Sequence, residues 1–75
     1  MLYYKIDVMH ALKNKGYTST RIRKEKILSE STMQKLRNGI MVSTENLGRI
    51  CVMLRCDIGD IIESKPTDEE KIKYF

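Results

Sequence analysis

Apolar residues in this chain recur at helical spacing rather than in strict alternation, and the pattern breaks at residues that cap or end helices. Tyr4, Val8, Ala11 and Leu12 lie on one face with Met9 beside them, while Lys5, Asp7, Lys13 and Asn14 fill the other. That predicts a first helix over about residues 4–15, closed by Gly16. Met1–Tyr4 reads equally as a short strand or as the start of that helix. Tyr17 is expected to fold back on the core, and Thr18 to cap a second helix over about 19–26, anchored by Ile22. Ile27 and Leu28 then lead to Ser29, an N-cap candidate for a short third helix over about 30–38 that ends at Gly39. Only Met33 and Leu36 anchor this third helix, so Glu30, Ser31, Gln34, Lys35 and Arg37 face outward. After an extended apolar linker, Ile40-Met41-Val42, a further start at Ser43-Thr44-Glu45 opens a fourth helix over about 44–55. Its Leu47, Ile50, Cys51 and Leu54 make the clearest amphipathic pattern in the chain and should form the centre of the core. Asp57 can cap one further turn, whose Ile58, Ile61 and Ile62 would seal the base of the bundle.

From Ser64 the composition changes. Pro66 interrupts regular structure, Thr67-Asp68-Glu69-Glu70 is a polar helix start, and Ile72, Tyr74 and Phe75 are too few to build a core. The expected division is therefore a domain over 1–63 and an acidic tail over 64–75, mobile or docked on a partner chain. The charge is divided in the same way. Residues 1–56 carry eleven Lys and Arg against four acids, +7, whereas 57–75 carry three Lys against six acids, −3. The globular part is thus the basic part, which favours a polyanionic partner.

Seventy-five residues suit one small helical domain. No stretch approaches the length of a membrane span and no apolar leader opens the chain, so a cytoplasmic protein with no membrane contact is expected. Cys51 and Cys56 have no Cys/His companions at metal-ligand spacing, which points to reduced thiols and no metal site. Catalysis is poorly supported. No nucleophile with a base, no paired carboxylates and no phosphate-cradling glycine loop appear at usable spacing, and His10 is a lone histidine on a helix face. Neither an enzyme nor a cofactor is expected. Two short helices with a tight connection, the second showing a polar face and both braced by longer helices, have the geometry of a helix-turn-helix. Ile22, Leu28, Met33 and Leu36 carry that signal, because all four must meet one core if the helices cross steeply.

From about Tyr4 to Glu63 the chain resembles the Cro/C1-type (XRE-like) helix-turn-helix regulators, in particular small bacterial or phage members. Their pattern falls without gaps on Thr18, Ile22, Arg23, Ile27, Leu28, Ser29, Thr32, Met33, Leu36 and Gly39. The run from Val42-Ser43 through Leu47, Ile50-Cys51 and Leu54-Arg55-Cys56-Asp57-Ile58-Gly59-Asp60-Ile61 is similar to the ending of a small subgroup. Two positions depart. Ile27 stands where the family has its turn glycine, so the turn is built differently or Ile27 is strained, because a β-branched residue disfavours φ > 0. Arg23 stands at a usually small position and requires either a slight separation of the helices or a stem that snorkels outward.

The resemblance implies an all-α fold, a compact four- to five-helix bundle of the lambda-repressor-like type whose third helix enters the DNA major groove. It implies base contacts from Glu30, Ser31 and Gln34, with Lys35 as a further candidate, and phosphate contacts from Ser19, Thr20, Arg37, Asn38 and the backbone around Gly39–Ile40. Gln34 can pair with adenine, Lys35 can donate to guanine and Glu30 can accept from cytosine. Glu30 reads equally as a specificity group or as a plain helix-start acid, and any Lys or Arg here also reads as part of a solvated face. The expected function is sequence-specific binding of double-stranded DNA by a repressor-like homodimer. The alternative is a protein-interaction module, such as an antitoxin or regulator subunit, that meets a protein partner through its C-terminal tail.

Overall fold

The computed structural model describes residues Met1–Phe75. Strand β1 (Leu2–Tyr4) leads into α1 (Val8–Asn14), α2 (Ser19–Lys24), α3 (Glu30–Arg37) and α4 (Thr44–Leu54). A single 3-10 turn (Ile58–Asp60), strand β2 (Ile62–Ser64) and helix α5 (Asp68–Tyr74) complete the chain. The expected all-α bundle is present, with a two-stranded antiparallel sheet added to it.

That sheet decides the ambiguous N-terminus. Leu2 pairs with Ser64, Tyr3 with Glu63 and Tyr4 with Ile62, and the pairing is extended at its ends by Lys5 N–H to the Ile61 carbonyl and Lys65 N–H to the Met1 carbonyl. Tyr4 therefore lies outside the first helix. Asp7, read from the sequence as part of the polar face, is instead the N-cap, its carboxylate accepting from the His10 N–H at 3.1 Å. The helix starts at Val8 because the side chain of Asp7 satisfies an amide that would otherwise be orphaned.

The four bundle helices all end in the same way. A residue in left-handed backbone, the one after the C-cap in α1, α2 and α3 and the C-cap itself in α4, is followed by a neighbour that donates back to a carbonyl in the last turn, a Schellman-type arrangement. Gly16 (φ 90°) precedes the Tyr17 N–H to Leu12 bond, Lys26 (φ 53°) the Ile27 to Ile22 bond, Gly39 (φ 71°) the Ile40 to Lys35 bond, and Arg55 (φ 54°) the Cys56 to Cys51 bond. This corrects the expectation for the turn. Its left-handed position belongs to Lys26, one residue before the place where the family pattern carries glycine, and Ile27 keeps a negative φ. Ile27 sits where a Schellman motif favours an apolar residue, half-buried against the core. Because Lys26 cannot continue the helix, α2 stops at Lys24, short of the expected 26.

The core joins Val8 and Leu12 of α1, Ile22 of α2, Met33 and Leu36 of α3, and Leu47, Ile50, Met53 and Leu54 of α4 with Leu28, Val42 and Ile61. Of the three isoleucines expected to seal the base, Ile61 is fully buried and Ile62 half-buried, but Ile58 is exposed, because the turn there is 3-10 and turns it outward. Cys51 and Cys56 are free thiols, both half-buried. Burial pushes the Cys56 thiol up from its ordinary range, with Cys51 nearby adding to the effect.

Candidate nucleic-acid interface

Helix α3 is fixed from its inner side. Thr32, Met33 and Leu36 are buried, and Thr32 is the only polar residue of the chain that is. Its hydroxyl accepts from the Ser29 hydroxyl at 2.9 Å and from Asn46 Nδ2 at 3.2 Å, while Ser29 Oγ caps the Thr32 N–H at 3.1 Å. The start of α3 is thus tied to α4 by hydrogen bonds as well as by packing. Its end is tied to β1. Tyr4 Oη donates to the Ile40 carbonyl at 2.9 Å and accepts from the Val42 N–H at 3.3 Å. Burial raises the Tyr4 phenol above its usual range, partly offset by the Val42 bond, so it remains a neutral hydroxyl able to make both bonds.

With its inner side held, α3 presents Glu30, Ser31, Gln34, Lys35 and Arg37 to solvent. Ser31, Gln34 and Lys35 make no side-chain hydrogen bond within the chain, leaving their donors and acceptors free. Glu30 is different: Arg23 Nε donates to it across the turn. This also places Arg23, whose guanidinium lies at the surface on Glu30, so the helices do not have to separate around it.

Of the expected phosphate contacts, Ser19 and Arg37 are brought together, Arg37 Nη2 donating to Ser19 Oγ at 3.0 Å from α3 to α2. Thr20 and Asn38 are exposed and make no side-chain hydrogen bond. Ser19 and Arg37 also line a polar crevice with Asp7, Met9, His10, Lys13 and Thr18. Lys13 and His10, three residues apart on the exposed face of α1, are therefore neighbours of the α2–α3 pair. That i,i+3 spacing was available in the sequence, but nothing in it tied α1 to Arg37. A second crevice, lined by Arg23, Lys26, Ile27, Leu28, Ser29, Glu30 and Arg49, runs along the turn. Arg49 is held by Glu45 at 3.0 Å, one helical turn away. The surface around α3 is basic, and no group of three or more His, Cys, Asp or Glu residues is placed to hold a metal ion.

The family model for the Cro/C1-type helix-turn-helix DNA-binding domain matches residues 5–67 of the 75. The chain belongs to that family. In this Cro/C1-type domain α2 and α3 are the helix-turn-helix pair, and the family assigns the domain to DNA binding. The match takes in all four bundle helices and the β2 strand and ends at Thr67, the N-cap of α5. No curated protein and no solved structure matches the chain. No helix is long and apolar enough to cross a membrane.

Proposed function

We propose that the protein is a sequence-specific transcriptional regulator that reads double-stranded DNA with α3 in the major groove. The observation that carries this is the outer face of α3, where Ser31, Gln34 and Lys35 are exposed and unengaged on a helix locked from behind through Thr32. A helix that presents free amide, hydroxyl and ammonium groups on a rigid mount is suited to base-edge hydrogen bonding, which carries sequence information. In this reading Gln34 pairs with a purine edge, adenine by preference, Lys35 donates to guanine, and Ser31 takes either role. Glu30 accepts from cytosine only after it leaves Arg23, which then turns to phosphate. Ser19, Thr20, Arg37 and Asn38 fix the register on the backbone. Binding over a promoter would exclude the transcription machinery sterically, hence a repressor-like action, carried out in the cytoplasm.

The functional unit is a homodimer. One recognition helix contributes few base contacts, whereas two half-sites about 34 Å apart roughly add their specific free energies. Selection from randomised duplex by the full chain should enrich a two-fold symmetric motif. Gln34→Ala should relax the preference at one position per half-site, each half-site losing one bidentate contact of about 1–3 kcal/mol, or about 5- to 150-fold in affinity for the preferred base. A folded protein that enriches no motif would refute the reading.

A further inference from the structure

The chain carries two apolar surfaces that it does not cover itself. One is a groove between α4 and the strand pair, lined by Leu47, Gly48 and Cys51 of α4, Leu2 and Ile62 of the strands, and Ile58 of the 3-10 turn. At Gly48 the backbone is bare: a Cβ added there meets nothing within 4 Å. The other surface is α5, which has no buried residue. Ile72 of α5 and Phe75, the C-cap that follows the helix, are 85% and 87% exposed.

Helix α5 does not lie in the groove of its own chain. Its first turn is held at the far end of the sheet by Glu70, whose carboxylate meets the Met1 ammonium at 3.2 Å. The molecule is correspondingly elongated, 46 × 23 × 19 Å with a radius of gyration of 13.8 Å, against about 11 Å for a compact chain of this length. Folding back would require reversal within Lys65-Pro66-Thr67, where the Lys65 N–H is paired to Met1 and Pro66 has a fixed φ.

We infer that Ile72 and Phe75 of one chain occupy the α4–sheet groove of a second copy, and reciprocally, so that two chains exchange their C-terminal helices. Both side chains are almost wholly exposed in their own chain and the groove is lined almost entirely by apolar atoms, so each arm exchanges water-facing apolar surface for apolar contact. The charges agree. The first turn of α5 carries Asp68 and Glu69, which form no ion pair in their own chain, and Lys5 and Arg55, next to the groove at the 3-10 turn and at the end of α4, form none either. No groove residue belongs to the candidate DNA face, so exchange leaves both α3 helices free. Val52, 78% exposed one turn beyond Gly48, would lie at the margin of the contact. The inference rests on the homodimer of the proposed function and is independent of base recognition.

Sedimentation equilibrium of the full chain without DNA tests it. The wild type should run at twice 8.8 kDa at 100-micromolar concentration. A tail variant, Ile72→Asp with Phe75→Asp, and a groove variant, Gly48→Glu, should each weaken association at least a hundredfold and run as monomers. The tail variant alters only solvent-exposed side chains, so it keeps the test valid should the groove variant fold poorly. Mixing the two variants restores one of the two arms, the intact tail of one meeting the intact groove of the other, so the mixture should associate more strongly than either variant alone and more weakly than the wild type. A monomeric wild type, a dimeric tail variant, or a mixture of folded variants that associates no better than either variant alone would each overturn the exchange. Motif selection by the tail variant reads DNA recognition separately, so neither result decides the other.

Discussion

Lys26 and Ile27 offer adjacent positions at which one substitution should act in opposite directions. At Lys26 (φ 53°) an L side chain in left-handed backbone costs about 1–2 kcal/mol. Glycine removes that cost but loses about 0.5–1 kcal/mol of backbone entropy on folding. Lys26 is exposed and makes no ion pair, so little else changes. Lys26→Gly should therefore stabilise the domain by about 0.5–1 kcal/mol, raising Tm by about 3–6 °C for a chain of this size. Ile27 has a negative φ and packs half-buried on the core. There glycine gives up about 1 kcal/mol of apolar burial, half the value for a fully buried Ile, and adds the same entropic cost. Ile27→Gly should destabilise by about 1.5–2 kcal/mol and lower Tm by about 8–12 °C. Thermal unfolding followed by circular dichroism at 222 nm measures both. If Ile27→Gly stabilised and Lys26→Gly did not, the left-handed residue would lie where the family pattern has its glycine, and the account of the turn would be wrong.

Three further outcomes follow from the contacts around α3 and α5. Tyr4→Phe leaves the Val42 N–H and the Ile40 carbonyl without their partner and should cost about 1–2 kcal/mol, with faster hydrogen exchange at the Val42 amide. Arg37→Ala should weaken all duplexes about equally and reduce the magnitude of the slope of log K against log salt by about 0.9, the release from one phosphate; a change in base preference instead would place Arg37 on bases. The Glu70 carboxyl is held below its ordinary value, first by the Thr67 N–H and also by the Met1 ammonium. Folded α5 therefore takes up that proton less readily than the unfolded segment. The cap contributes fully above the ordinary carboxylate range and fades as pH falls through the lowered value, so amide signals of α5 should show fraying on acidification that Glu70→Gln abolishes.

Much of this fold was legible because its helices are bounded by chemistry. Thr18, Ser29, Ser43 and Thr67 each cap the helix the sequence assigned to them, since each can accept from an amide three residues on. The inward faces of α3 and α4 followed from i,i+3 and i,i+4 spacing. Two things were not legible, for different reasons. The pairing of β1 with β2 joins residues some sixty positions apart, and a three-residue strand leaves almost no periodic trace. The place of Lys26 is set by backbone closure at the end of α2, which a long cationic side chain does not announce as glycine does. The candidate site was legible as a face of α3, but its couplings, Arg37 to Ser19 and Arg23 to Glu30, required the helix crossing.

The hydrogen bonds from Ser29 through Thr32 to Asn46 also constrain the DNA. They leave no soft joint between α3 and α4, and Tyr4 closes the loop that might otherwise have served as one. If α4 carries the contact between subunits, the two reading heads are separated by a stiff ruler. One base pair inserted between half-sites turns one of them by about 34° around the duplex axis, from the 10–10.5 base pairs of a helical turn. Neither α3 nor α4 can turn on its own to follow that rotation, so spacer length becomes part of the recognised sequence.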